Sequence, residues 1–154
     1  MPPFTFNTSR SVRFGASLIL QLGEMTRSEI GCRVLLVTDT GMLATGLVDQ
    51  VQVILANAGV DVTVFSDVVA DPPEAVVLAA TEAAKVADVD AVIGFGGGSS
   101  LDVAKLVAVL AMDNQSLKDI YGVGNITGRR LPLILIPTTS GTGSEGTPIS
   151  ILTT

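Results

Sequence analysis

The stretch Ala91-Val-Ile-Gly-Phe-Gly-Gly-Gly-Ser-Ser-Leu-Asp-Val-Ala-Lys105 passes from an apolar run through a glycine cluster into a helical pattern. The β-branched residues Val92 and Ile93 predict a buried strand, which the glycines end. Beyond Ser99 nearly every residue to Met112 is apolar, which is typical of a helix buried beside a sheet. The sequence therefore predicts a strand, a glycine turn and a helix, in that order.

The predicted glycine turn has the properties of a phosphate-binding site. The first N–H groups of a helix lack partners within the helix, and the helix dipole adds partial positive charge there. Because Gly96, Gly97 and Gly98 have no side chains, a pyrophosphate can approach their backbone, and Ser99 can cap the helix or donate to a phosphate oxygen. A flexible loop is the simpler alternative, since the spacing is not G-x-G-x-x-G. We favour phosphate binding, and a dinucleotide fits best.

Composition is typical of α/β proteins, whose interior strands are apolar on both faces. Hydrophobic residues make up 47% of the 154 residues, and the chain also contains sixteen glycines. The formal net charge is −6, and no basic patch exists, which argues against nucleic acid or an anionic membrane as partner. No apolar run approaches the roughly 18 residues that span a bilayer, and no signal peptide pattern opens the sequence, so we expect a cytoplasmic protein.

Apolar strand patterns alternate with amphipathic helix patterns through most of the chain. Strands are predicted at 34–37, 62–65, 91–95 and 133–136, with helices at 16–29, at 44–58 and after the start signature Asp71-Pro72-Pro73-Glu74. This alternation predicts a parallel sheet with flanking helices. Residues 150–154 have the pattern of a further strand, so we expect a domain, 1–154, that is truncated at its carboxyl end.

Two motifs together resemble the iron-containing (group III) alcohol dehydrogenase family. The first is Gly96-Gly97-Gly98-Ser99-x-x-Asp102-x-x-Lys105, and the second is Leu-Pro-Leu-Ile-Leu-Ile-Pro-Thr-Thr-Ser-Gly-Thr-Gly-Ser-Glu at 131–145. The resemblance covers the whole chain, but the chain covers only the amino-terminal part of the family's architecture. It implies a Rossmann-like, dehydroquinate synthase-like nucleotide-binding domain without the family's helical second domain.

Asp39 follows the first parallel strand, where a carboxylate can accept hydrogen bonds from an adenosine ribose and repel a 2′-phosphate. It can equally cap the helix that follows. The family uses an aspartate at this point to favour NAD over NADP, so the resemblance favours a cofactor role.

Two further groups of residues have both a structural and a cofactor-binding interpretation. Asp102 and Lys105 share one face of a helix, either as a simple ion pair or, as the resemblance implies, near the cofactor. The second group follows the strand at 133–136, where open α/β sheets bind ligands, and offers hydroxyls either to a plain polar loop or to a cofactor. Its predicted cofactor-binding members are Thr138, Thr139, Thr142 and Ser144.

The chain contains no histidine and one cysteine. Without imidazole the usual transition-metal site cannot be built, and the commonest general base is missing. Cys32, which has no histidine partner, is interpreted as a packing residue. The family's metal ligands, one aspartate and three histidines, belong to its second domain. The resemblance therefore implies no catalytic or metal-binding residue here, and Fe²⁺ or another divalent metal only in the full-length enzyme.

Two short strands are predicted near the amino terminus, one around Phe4 and Phe6 and one at 12–14. In the resembled family the leading strand pairs with the twin subunit, so the resemblance implies a homo-oligomer. An ordinary edge hairpin is the alternative.

The resemblance implies the nucleotide-binding part of an NAD-dependent alcohol dehydrogenase, which transfers hydride between NAD(H) and an alcohol or aldehyde. A maleylacetate reductase, a glycerol dehydrogenase or a dehydroquinate synthase relative is an alternative within the same fold. A non-catalytic nucleotide-binding or oligomerisation module is an alternative of another class. We expect the isolated chain to be inactive because the family's metal ligands are not in it.

Overall fold

The computed structural model describes residues 11–112, 115–122, 125–147 and 150–153. The elements, in chain order, are a 3₁₀ turn at Leu18–Gln21, α1 (Leu22–Glu29), β1 (Arg33–Asp39), α2 (Thr40–Ala44), α3 (Leu47–Asn57), β2 (Asp61–Val68), α4 (Glu74–Val86), β3 (Ala91–Gly96), α5 (Gly98–Leu110), a second 3₁₀ turn at Leu117–Ile120 and β4 (Leu133–Pro137). None of the helices in these ranges combines the length and the apolar character needed to cross a membrane.

The four strands form one parallel sheet in the order β2-β1-β3-β4, which confirms the predicted α/β architecture. One row across the sheet runs Val64, Leu36, Ile93 and Ile134. From β1 the chain moves outward to β2 and then returns to β3 on the other side of β1. Ligands of open α/β sheets bind where the strand order reverses in this way, at the carboxyl ends of the strands. In this fold that point lies between β1 and β3.

Helices cover both faces of the two central strands, as their uninterrupted apolar sequences predict. On one face Val34 and Leu36 of β1 pack in a buried cluster with residues of α1 and α3. On the other face Leu35 and Val37 pack with residues of α4 and α5. All four side chains are fully buried. Burial on this scale contributes about 1.5–3 kcal/mol per large aliphatic side chain, so the central strands hold the sheet edge rigidly in place.

Gly94 in β3 allows α5 to lie unusually close to the sheet. A Cβ atom added at Gly94 would lie 2.8 Å from Cβ of Ala104 and 3.0 Å from Cδ2 of Leu135. The first turns of α5 are therefore fixed directly above the end of β3.

The helix predicted at 44–58 is observed as α3, Leu47–Asn57, and a short helix that was not predicted, α2, precedes it at Thr40–Ala44. Gly46 separates them with φ 73°, a left-handed conformation that a continuous helix cannot contain. The helix predicted from residue 16 likewise begins later, with a 3₁₀ turn ahead of α1.

The predicted start signature of α4 was wrong in its details. Asp71 has φ 47° and does not cap the helix, which begins at Glu74 after Pro73. Pro73 instead occupies the N-cap position with extended backbone, φ −72° and ψ 159°, so the first helical residue is Glu74.

Three other predictions from the sequence, for Cys32 and for strands near the two ends of the chain, differ from the structure. Cys32 is exposed and not a packing residue, because it precedes the buried part of β1. Residues 12–14 form no strand, and the strand predicted around Phe4 and Phe6 lies outside the described residues. Residues 150–152 are not a strand either, although Thr153 forms a single parallel bridge with Pro73.

Candidate functional site

A cleft of about 430 Å³ lies at the reversal point of the sheet. Its walls come from the ends of β1 and β2 and from the start of α5. The lining residues are Asp39, Thr40, Val68, Val69, Ala70, Gly97, Gly98, Ser99 and Ser100. The cleft therefore combines a carboxylate, a short apolar wall and the amino-terminal end of a 13-residue helix.

The glycine turn is the floor of this cleft. β3 ends at Gly96, whose φ of 153° is a conformation that L side chains rarely adopt. Gly97 occupies the N-cap position of α5, and the helix begins at Gly98. The predicted cap by Ser99 was wrong, because Ser99 already lies inside the first turn and no side chain caps the helix. The leading N–H groups of α5 thus have no side-chain acceptor at the N-cap position, which is the arrangement that anion sites use.

The second motif packs directly against the glycine turn. The N–H of Thr138 donates to the carbonyl of Gly96 at 2.9 Å. A Cβ atom on Gly97 would lie 3.5 Å from Cγ2 of Thr139. A Cβ atom on Gly98 would lie 3.1 Å from Oγ of Ser144 and 3.4 Å from Cβ of Thr142. The two motifs, widely separated in sequence, therefore meet around one stretch of bare backbone.

Asp39 has the predicted capping role and also lies in the cleft. Its Oδ1 accepts a hydrogen bond from the N–H of Met42 at 3.0 Å, which caps α2. Its Oδ2 accepts a hydrogen bond from Oγ of Ser100 at 3.2 Å. A carboxylate has about four lone-pair sites, so both bonds leave acceptor capacity for a ligand. The structural and the cofactor-binding interpretations of Asp39 are compatible.

Asp102 and Lys105 form the predicted ion pair, with Oδ1 and Nζ 2.8 Å apart. Their side chains are only 9% and 12% exposed. Neither residue lines the cleft. The other carboxylate oxygen of Asp102 accepts from the backbone N–H of Ile151, so this predicted site residue makes structural contacts in the region described. Direct contact of Asp102 with a cofactor remains a prediction.

Sequence reasoning missed two parts of the site. Ser100 stands at an unspecified position of the glycine motif, and no local pattern marks it as the partner of Asp39. Val68, Val69 and Ala70 form the apolar wall. The rule that ligands bind at the carboxyl ends of strands could have found these three, because β2 ends at Val68.

The described residues contain no group of three or more His, Cys, Asp or Glu side chains placed to hold a metal ion. The sequence itself has no histidine. The donor set present therefore does not fit the imidazole-containing metal site that the resemblance places elsewhere in the family's architecture.

Comparison with known proteins identifies the family of the chain. The family model described as iron-containing alcohol dehydrogenase matches residues 9–154. Long-chain-alcohol dehydrogenase 1 of Geobacillus thermodenitrificans is 49% identical over 125 residues, covering 77% of this chain and 31% of the enzyme.

Solved structures of dehydrogenases and reductases also superpose closely on this chain. The NADH-dependent butanol dehydrogenase A of Thermotoga maritima superposes with a TM-score of 0.87 at 32% identity, covering 99% of this chain and 39% of that one. The sulfoacetaldehyde reductase of Bifidobacterium kashiwanohense, solved in complex with NAD⁺, superposes with a TM-score of 0.85 at 27% identity, covering 99% and 40%. The chain spans less than half the length of each of these relatives. Since the family model accounts for nearly every residue, this chain belongs to the iron-containing alcohol dehydrogenase family.

Proposed function

We propose that this chain is the NAD(H)-binding part of an oxidoreductase that interconverts an alcohol and an aldehyde. The observation that carries the proposal is the meeting of the glycine turn, the Thr138–Ser144 loop and Asp39 at the reversal point of the sheet. When bound, NAD(H) supplies the hydride chemistry, and the protein's contribution is to hold and orient it.

Each part of the cleft has a role in this proposal. The backbone N–H groups at Gly97, Gly98 and Ser99 bind the pyrophosphate, because no side chain separates them from the cleft. Asp39 accepts hydrogen bonds from the adenosine ribose and repels a 2′-phosphate, so NAD(H) is preferred over NADP(H). The second motif packs against the glycine turn but does not itself line the cleft. In this proposal its hydroxyls, on Thr138, Thr139, Thr142 and Ser144, make further polar contacts with the cofactor from beside the cleft.

Substitution of Gly97 can test the proposed pyrophosphate site without disturbing the fold. Gly97 has φ −78° and ψ −178°, which any residue can adopt. A Cβ atom there would make only ordinary contacts, the nearest at 3.5 Å. A larger side chain at this position therefore fills the proposed ligand space without straining the backbone.

Calorimetric titration of the chain with NAD(H) and with NADP(H) tests the proposal. We expect tighter binding of NAD(H), and loss of binding in Gly97→Val. Gly15→Val is the matched control, because a Cβ at Gly15 meets no atom within 4 Å and Gly15 does not line the cleft. Equal or tighter binding of NADP(H) would overturn the role of Asp39. Failure of the wild-type chain to bind either nucleotide would overturn the proposed function.

The metal chemistry of the family is outside this proposal for residues 1–154. The chain offers no histidine donor, so we derive no metal-dependent step from its residues. The same absence favours a second candidate function, a nucleotide-binding module without catalytic activity of its own. Turnover by the chain would exclude this second candidate.

We also propose self-association through the amino-terminal segment. Val12 and Phe14 are 80% and 101% exposed, so two large apolar side chains lie uncovered beside α1. Apolar side chains that are exposed together, rather than singly, mark surfaces at which proteins associate. Light scattering of the full chain, of a variant lacking residues 1–10 and of the double variant Val12→Ser, Phe14→Ser tests this. A monomeric full chain, or an oligomer that neither change disrupts, would contradict it.

A further inference from the structure

We propose that Ser100 is a positioning residue that fixes the carboxylate of Asp39 and thereby sets the discrimination between NAD(H) and NADP(H). This inference rests on the proposed nucleotide-binding function. It assigns a specificity role to a side chain that the glycine motif leaves unspecified.

The contact between the two residues links distant parts of the chain. Oγ of Ser100 donates to Oδ2 of Asp39 at 3.2 Å across a sequence separation of 61 residues. Asp39 ends β1, and Ser100 lies in the first turn of α5. The bond therefore joins two of the three elements that form the walls of the cleft, β1 and α5.

The environment of Ser100 directs its hydroxyl to Asp39. Ser100 is 1% exposed, so bulk water cannot take the place of the carboxylate as acceptor. A Cβ atom at Gly96 would lie 2.8 Å from Oγ of Ser100 and 3.1 Å from Oδ2 of Asp39. The hydroxyl and the carboxylate thus lie directly over the bare backbone of Gly96, with no room for a side chain between them.

Two donors on different oxygens define the plane of the carboxylate. The N–H of Met42 holds Oδ1, and the hydroxyl of Ser100 holds Oδ2. With both bonds present, the remaining lone pairs keep one direction, and a ribose that enters the cleft meets a preorganised acceptor. With only the Met42 bond, the carboxylate can rotate, and both its hydrogen bonding to the ribose and its repulsion of a 2′-phosphate weaken.

The test is the ratio of the dissociation constants for NADP(H) and NAD(H) in Ser100→Ala, measured by calorimetry. Hydrogen bonds to charged groups are strong enough that we expect the ratio to fall by about tenfold. Ser100→Thr retains the hydroxyl and should restore much of the ratio. Ser28→Ala, which removes an exposed hydroxyl bonded only within α1, is the control and should leave the ratio unchanged.

A double-variant comparison separates positioning from a merely structural effect. In an Asp39→Ala background, Ser100→Ala should produce no further change in the ratio, because its effect acts through the carboxylate. A ratio that is unchanged in Ser100→Ala alone, or that falls equally in the Asp39→Ala background, would overturn the inference while leaving the proposed function intact. Absence of nucleotide binding by the wild-type chain would overturn both.

Discussion

Oδ2 of Asp102 accepts a hydrogen bond from the backbone N–H of Ile151, 3.1 Å away. Around this contact Oγ of Ser150 donates to the carbonyl of Asp102 at 3.3 Å, and Nζ of Lys105 donates to the carbonyl of Thr147 at 3.3 Å. Hydrogen bonds with the buried ion pair and its backbone therefore hold Thr147, Ser150 and Ile151 against α5, the helix that follows the glycine turn. The carboxylate and the ammonium group on one face of α5 thus connect this helix to the segment that follows the second motif.

Replacing Asp102 with Asn should destabilise the fold by about 3 kcal/mol, because it removes one partner of a buried pair while keeping the side chain's shape. Urea unfolding measures this change. The matched control is Glu82→Gln on the exposed face of α4, with an expected change within about 0.5 kcal/mol. If both variants unfold at the same urea concentration, the ion pair does not stabilise this part of the fold.

Gly94 provides a test of the close packing between α5 and the sheet. Gly94→Ala would place a methyl group 2.8 Å from Cβ of Ala104. This contact can be relieved only if α5 moves away from β3. We expect a loss of about 2 kcal/mol of unfolding free energy from overpacking. Thermal unfolding of this variant is compared with Gly15→Ala, where the added methyl group meets nothing within 4 Å. A stable Gly94→Ala protein would show that α5 can move away at little cost.

The sequence predicted the sheet because its central strands are continuous apolar runs, and these runs cannot lie anywhere but between two helical layers. It predicted that each motif follows a strand, and the two motifs lie together because parallel strands bring their carboxyl ends to one edge. It could not predict the bond between Ser100 and Asp39, since that depends on how closely α5 approaches β1. The helix predicted from residue 44 begins at Leu47 because Gly46 has a left-handed conformation, and Asp71, which also has a positive φ, does not cap α4 as predicted.

The chain has one tyrosine and no tryptophan, so ultraviolet absorbance reports the ionisation of Tyr121 alone. Its hydroxyl donates to the carboxylate of Glu74, and this hydrogen bond raises the pKa of Tyr121 above its ordinary value of 10.0. The contact joins the segment after the second 3₁₀ turn to the start of α4. We expect a titration midpoint above 10.0 in the folded protein, which Glu74→Gln shifts downward and Glu82→Gln leaves in place.

The same hydrogen bond makes stability depend on alkaline pH. Because the folded pKa of Tyr121 is raised, its stabilising contribution is complete below the unfolded pKa and is lost as the pH rises through the folded value. Tyr121→Phe should therefore lose stability at neutral pH and show a weaker decline at alkaline pH than the wild type. Identical pH profiles for the two proteins would contradict a role for the Glu74 contact in stability.

The final prediction concerns activity of the chain by itself. Metal-dependent dehydrogenation requires a divalent cation that stabilises the developing alkoxide, a contribution often worth several kcal/mol of the barrier. The chain has no histidine, and its described carboxylates are not clustered for metal binding. We therefore expect no alcohol-dependent formation of NADH, followed by absorbance, even with added ferrous iron or zinc. A full-length long-chain-alcohol dehydrogenase assayed in parallel is the positive control. Robust metal-dependent turnover by residues 1–154 would mean that the alkoxide is stabilised by groups within this chain, and that the catalytic centre has been placed wrongly outside it.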